Sequence, residues 1–250
     1  MNQSDSLFQT IGFSDGVYAS THHHNHDRYA DENINLLTFS RVNAIELNIR
    51  DSDSLDFLCS CDDDLYRNFD FVSLHASQFL FEEPGADRSL EKVRYSVEKF
   101  NIRNIVVHPD RIQDWERLAS LTYGLPLSLE NMDPQKDFGR YPIELKPIID
   151  TYDFGLTLDL QHCFHHDESM KLADEFIQTF HDHIVEFHVS GYRKGFLHYP
   201  LSLTDQKIIP EHIFDTSIPV IIESHYLERS SAEKEVRYIA ECVKNFSKEI

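Results

Sequence analysis

Nowhere in this chain do roughly 18 apolar residues run together without a charge, so no segment reads as a membrane-spanning helix. The N-terminus, MNQSDSLFQTIGF, lacks the basic patch and long apolar stretch of an export signal. A soluble, cytoplasmic protein is the expectation. Basic residues are scarce: 23 Lys and Arg face 43 Asp and Glu, a net charge of −20, and such a surface repels phosphate backbones and anionic lipid. Nucleic acid and membranes are therefore disfavoured as partners, and a small-molecule substrate is expected. Cysteine is sparse as well. Cys59, Cys61, Cys163 and Cys242 are too few and too irregular for a disulfide framework, and Cys59 and Cys61 have no second pair to complete a zinc cage. No low-complexity tract, basic tail or Pro/Gly-rich linker divides the 250 residues, so a single domain over 1–250 is expected.

What the chain does have is a rhythm. A short apolar run carrying a metal-binding side chain at or near its end occurs seven times: AIELN with Glu46, FVSLHAS with His75, NIVVHPD with His108, PLSLEN with Glu130, GLTLDLQH with Asp159 and His162, IVEFHVS with His188, and PVIIES with Glu223. The runs recur roughly every 30 residues, the length of one strand, one helix and two loops. Parallel strands covered on both faces read as near-continuous apolar runs, and their C-terminal ends meet at one mouth in a (β/α)8 barrel. An α/β fold, a single (β/α)8 TIM barrel, is predicted.

The intervening segments have helical period. Leu90, Val93, Val97 and Phe100 form one face of a helix whose other face carries Lys92, Arg94, Glu98 and Lys99; Val236, Ile239, Ala240, Val243 and Phe246 repeat the pattern, with Ser230 and Ser231 placed as N-caps. Helices are predicted near 31–41, 51–66, 87–100, 110–120, 139–150, 167–181, 204–215 and 229–246. Strands are predicted near 12–20, 43–49, 69–75, 103–108, 125–130, 154–160, 183–189 and 218–223. The longest irregular stretches, 77–86, 131–138 and 190–203, follow strands 3, 5 and 7, where barrel enzymes place lids and specificity.

Carboxylates at the ends of apolar strands are costly to bury unless compensated, and a divalent metal compensates them directly. Glu130, Asp159, His188 and Glu223 make a hard, oxygen-rich ligand set suited to Zn, Mn, Fe or Mg. His75 and His108, with Glu130 shared, make a second set that favours zinc or iron. One or two ions per chain are expected, and in a two-ion arrangement Glu130 is the bridge.

The order and spacing of these pieces resemble the xylose isomerase-like barrel superfamily, which holds sugar isomerases, sugar epimerases and apurinic-site nucleases of the endonuclease IV type. The resemblance runs from about Gly16 to Phe246. It implies that Glu130 in SLEN, Asp159 in LDLQH, His188 in EFHVS and Glu223 in IIES bind the common metal. It implies also that His75 in LHAS and His108 in VVHPD correspond to the extra zinc ligands of the nuclease branch. His162, three residues after Asp159, resembles the histidine that holds a third zinc in nucleases and touches substrate oxygens in epimerases. Several positions depart from the pattern. Phe196 stands where an Asp would accompany His198 in a third zinc site, Gln78 replaces a Tyr used against DNA, and Gly191 and Gln161 replace other usual residues. These departures and the charge argue against DNA repair.

Other candidates are less tightly placed. Arg193 and Lys194 follow strand 7, near where epimerases place an arginine on a substrate hydroxyl or phosphate. Glu46 is positioned either to meet substrate or His75, or to form a buried salt bridge. The THHHNH segment, with His22 to His26, reads as a polar loop at the mouth or as an aid to binding, while His165, His166, His183 and His225 read as surface or supporting residues.

Three functions suit this set. The first is isomerisation or epimerisation of a small sugar or hydroxy-carbonyl compound through an enediolate, with Glu130 and Glu223 as the proton-transferring groups. The second is multi-metal phosphoester hydrolysis of the endonuclease IV type, for which His75 and His108 argue. The third is a metal- or ligand-binding barrel without catalysis, against which the intact set of carboxylates argues.

Overall fold

A computed structural model describes residues 7–15, 42–62, 64, 66–76, 86–225 and 229–246. The predicted helix over 31–41, the His22 to His26 segment, Gln78 and most of the 77–86 loop lie outside the described residues.

Eight parallel strands close into a barrel: β1 (Ile11–Ser14), β2 (Ala44–Ile49), β3 (Phe71–Ala76), β4 (Asn104–Val107), β5 (Leu127–Glu130), β6 (Gly155–Asp159), β7 (Ile184–Val189) and β10 (Val220–Ile222). The last of these pairs with the first, Ile11 opposite Val220. Two further strands, β8 (Gly191–Arg193) and β9 (Phe196–Tyr199), form a separate antiparallel hairpin after β7. The helices are α1 (Ser52–Ser60), α2 (Ala86–Phe100), α3 (Trp115–Leu121), α4 (Pro142–Tyr152), α5 (Leu160–His166), α6 (Lys171–Phe180), α7 (Ile208–Glu211) and α8 (Arg229–Phe246). The fold is a single (β/α)8 barrel.

Side chains alternate along each strand, and the two faces here differ in kind. Ile45, Leu47, Val72, Leu74, Leu129, Leu156, Leu158 and Phe187 join the apolar core. The alternate positions are polar and equally buried: Glu46, Ser73, Asn104, Ser128, Thr157 and Glu186. They bond to one another across the barrel. Asn104 Nδ2 reaches Glu186 Oε2 at 2.6 Å and Thr157 Oγ1 at 3.2 Å, Ser128 Oγ lies 2.6 Å from Thr157 Oγ1, and Ser73 Oγ donates to Glu186 Oε1 at 2.9 Å. Barrel interiors are ordinarily packed with bulky branched side chains. This one holds a hydrogen-bonded polar floor.

Three differences from the sequence reading have local causes. The predicted helix over 167–181 is α6, which Met170, at φ 60, begins from a left-handed turn; the unpredicted element is α5, a short helix before it, capped by Asp159 and ending at Asp167. The predicted helix over 204–215 shortens to α7, since Gln206 is occupied with the Tyr192 backbone, accepting from its N–H and donating to its carbonyl. The irregular 190–203 stretch is largely the hairpin, with Gly195 at φ 85 in its turn.

Closure is tight at the seam. A Cβ on Gly12 would lie 1.9 Å from the carbonyl oxygen of Ala44 on the neighbouring strand. Gly12→Ala is therefore expected to force β1 and β2 apart and cost about 1–3 kcal/mol, as overpacking does. At roughly 2–4 °C per kcal/mol for a domain of this size, thermal melting would detect it, and an unchanged midpoint would refute the close approach.

Candidate metal centre

The ligand candidates sit at or just beyond the C-terminal ends of barrel strands, except Glu46, which lies one turn of the pleat deeper in β2, His162 in the first turn of α5 and His198 on the hairpin strand β9. Glu130 and Asp159 are the last residues of β5 and β6, His75 and His188 are the fifth residues of β3 and β7, and His108 and Glu223 follow β4 and β10 directly. Asp159 also caps α5: its carboxylate accepts from the His162 amide at 2.9 Å. The cap places His162 in the first helical turn, beside Asp159, which gives the three-residue spacing its physical reason. His162 Nδ1 donates to the Asn131 carbonyl at 2.7 Å, and its Nε2 lies 3.6 Å from Asp159 Oδ2.

Glu130 is central. Its Oε2 lies 2.9 Å from His108 Nε2 and 3.4 Å from His75 Nε2, while its Oε1 lies 3.3 Å from His188 Nδ1. One oxygen thus faces the histidine pair and the other faces His188, whose Nδ1 is also 3.4 Å from Glu223 Oε2. The ligand atoms of Glu130, Asp159, His188 and Glu223 fall within 4.8 Å of one another, as do those of His75, His108 and Glu130, and those of Asp159, His162 and His198. His75 Nε2 and His108 Nε2 point at each other across 2.7 Å, closer than the ~3.3 Å separating two nitrogens on one tetrahedral zinc. An ion between them would spread them slightly.

The residues fit a cation. Glu130 Oε2, Asp159 Oδ2, His188 Nδ1 and Glu223 Oε2 are buried and make no directed hydrogen bond among the described residues, which is expensive for carboxylates unless a positive charge is supplied. Within the chain alone, imidazoles supply it. Burial would push His75 and His188 down, but the surrounding carboxylates, Glu46 first, raise both well above the ordinary histidine value. Burial would push Glu130 and Glu223 up, but the histidines outweigh it and hold both below the usual carboxylate range. Asp159 gains less. Burial, aided by Glu223 and Glu130 and opposed by His162, raises it to about 7. His198 is buried beside His162 and His225 and is depressed to about 4 despite Glu223.

No protein-family model matches the sequence, and no curated protein sequence matches it. Solved structures do match in three dimensions. A xylose isomerase domain-containing protein from Salmonella typhimurium superposes with a TM-score of 0.58 at 10% identity, over 94% of this chain and 97% of that one. A D-psicose 3-epimerase, solved in the presence of D-fructose, gives 0.59 at 13% identity over 96% and 97%. This chain shares the (β/α)8 barrel fold of both. The architecture is widely used: a dihydropteroate synthetase gives 0.56 at 13% identity over 98% and 96%. The likeness therefore speaks for fold, and the chemistry has to be argued from the side chains.

Two placements refine the sequence reading. Arg193 lies on the exposed face of the hairpin, its guanidinium 5.4 Å and 5.9 Å from the Tyr199 and Phe196 ring centres, rather than among the ligand groups. Phe196 is half-exposed on the same hairpin, and His198 reaches inward alone, Nδ1 3.0 Å from Ser190 Oγ and 3.6 Å from Glu223 Oε2. Sequence reasoning missed Glu186, fully buried with Oε1 3.4 Å from His188 Nε2. A signal was present. Glu186 precedes His188 by two, as Ser73 precedes His75, Ser128 precedes Glu130 and Thr157 precedes Asp159, so each pair faces the same way. Glu235 was missed too: from α8 it accepts from the Leu201 and Ser202 amides and from Ser224 Oγ, tying the end of the hairpin to the residue after Glu223.

Proposed function

We propose that this protein is a divalent-metal enzyme that isomerises or epimerises a small sugar or other hydroxy-carbonyl compound. The observation that carries the reading is the convergence at the mouth of the barrel of Glu130, Asp159, His188 and Glu223, all buried, each with a polar atom that has no hydrogen-bond partner among the described residues. An ion held there would polarise adjacent substrate oxygens and lower the cost of removing the neighbouring C–H proton. Glu130 and Glu223 flank His188 from strands separated in the barrel by β6 and β7, so they approach a substrate from different sides. Both carboxylates are ionised at neutral pH, and two on opposite sides allow proton removal on one face and return on the other. Incubation in deuterium oxide with a panel of aldoses and ketoses should place deuterium on a substrate carbon, and absence of exchange across the panel would sink the mechanism.

A second reading has its own observation. His75 and His108 face each other beside Glu130, and a one-ion isomerase has no need of them. They support a two-ion site in which Glu130 is shared, the arrangement suited to phosphoester hydrolysis. The metal content of the purified protein separates the readings: about one tightly held equivalent favours isomerisation, and two or more, with phosphodiesterase activity on a small substrate, favours hydrolysis.

A further inference from the structure

Glu46 is fully buried, and neither of its carboxylate oxygens makes a directed hydrogen bond among the described residues. Two imidazole nitrogens lie against it. Oε2 is 3.0 Å from His188 Nε2, and Oε1 is 3.5 Å from His75 Nδ1. Both nitrogens are on the sides of their rings turned away from Glu130. The opposite atoms, His188 Nδ1 and His75 Nε2, are the ones that face it, at 3.3 Å and 3.4 Å. The neighbouring acid is differently engaged: Glu186 also approaches His188 Nε2, but Ser73 Oγ and Asn104 Nδ2 already donate to its two oxygens. Glu223 Oε1 lies 3.9 Å from His75 Nδ1, but among the described residues Glu46 alone touches the backs of both rings.

An imidazole that offers one nitrogen to a metal carries its proton on the other, and the acceptor of that proton fixes the tautomer and the aim of the ring. We propose that Glu46 is a positioning residue shared by His75 and His188, accepting Nδ1–H from the first and Nε2–H from the second. The two rings are thereby set in opposite tautomers, His75 presenting Nε2 and His188 presenting Nδ1. One carboxylate beneath the mouth aims a histidine from each ligand group, so the groups are not independent. The inference rests on reading both histidines as metal ligands.

Two measurements test it on the full chain. In zinc-loaded protein labelled with nitrogen-15 histidine, long-range proton–nitrogen correlations should show His75 protonated at Nδ1 and His188 at Nε2; either ring in the other tautomer overturns the proposal, and no variant has to fold. In Glu46→Gln only the amide oxygen can accept, so one ring loses its acceptor and the other faces a neutral one. Zinc affinity, read by competition with a chromophoric chelator, should fall about 10–100-fold both for the step that requires His75 and for the step that requires His188. Glu46→Asp, which keeps the charge, should recover part of the loss at both. A folded Glu46→Gln chain that loses affinity at one step only, or at neither, overturns the shared role while leaving the metal reading intact. A wild-type chain that takes up no zinc overturns both.

Discussion

Glu130→Gln is expected to abolish turnover and to empty both ligand groups together. The carboxylate presents Oε2 to His75 and His108 and Oε1 to His188, so an amide at this position withdraws an anionic oxygen from each side. Removing an outer partner of a metal ligand already costs about 10–100-fold in affinity, and loss of a direct, shared ligand should exceed that. Comparison variants sharpen the result. His108→Ala lies in the pair and Glu223→Gln in the quartet, so each should weaken one group and spare more of the other. Metal analysis after dialysis, with melting curves to verify folding, reads the outcome. Full retention of metal by folded Glu130→Gln would show that the two groups do not share this residue.

Metal should also stabilise the chain, and increasingly so as pH rises. At a free concentration near 100 times its Kd an ion adds about 2.7 kcal/mol, which for this size raises the melting midpoint by roughly 5–11 °C. The direction with pH follows from the buried groups. His75 and His188 are raised in the folded chain, so their contribution to the metal-free fold is fully present below the ordinary histidine value of 6.5 and is lost as pH climbs through their folded values. Asp159, raised to about 7 from 3.8, acts in the same direction, since its folded form holds a proton that the unfolded chain has released. Glu130 and Glu223, both lowered, act oppositely, contributing above 4.5 and failing as pH falls through their folded values. The metal-free protein should thus be most stable in mildly acidic solution, weaken gradually as Asp159 loses its advantage between pH 3.8 and about 7, and weaken more steeply above 6.5 as the histidines join it. A bound ion takes over the role of the imidazolium protons and expels them, so apparent affinity should rise with pH. Calorimetric titration in buffers of different ionisation enthalpy counts the released protons, and zero release would contradict the charge balance described for the site.

Much of this arrangement was legible because barrels repeat. The strand positions and the candidate side chain at each strand end follow from apolar runs at a constant interval, and the structure brings His75, His108, Glu130, Asp159, His188 and Glu223 around one mouth. What escaped reading depends on contacts that sequence period does not carry. Helix α5 exists because Asp159 caps it, a second use of a residue already noticed as a ligand candidate. The hairpin of β8 and β9 has no strong alternation in sequence; its antiparallel pairing, its glycine turn and the Gln206 bonds to Tyr192 are tertiary features. Glu186 was hidden within an apolar run whose continuity suggested burial, although a period of two would have set it beside His188. Glu235 acts across 33 and 34 positions of chain, on Ser202 and Leu201, beyond any local pattern.

The pairing of β1 with β10 bears on how the molecule is made. Strand Val220–Ile222 completes the ring and delivers Glu223, so no earlier stage of folding can present the full quartet. Until then β1 and β7 each show an open edge, the exposure that makes long-range parallel sheets slow to form and prone to association. Ion capture would accordingly be a late event, and its appearance in a refolding experiment would mark the moment at which the last strand docks against the first.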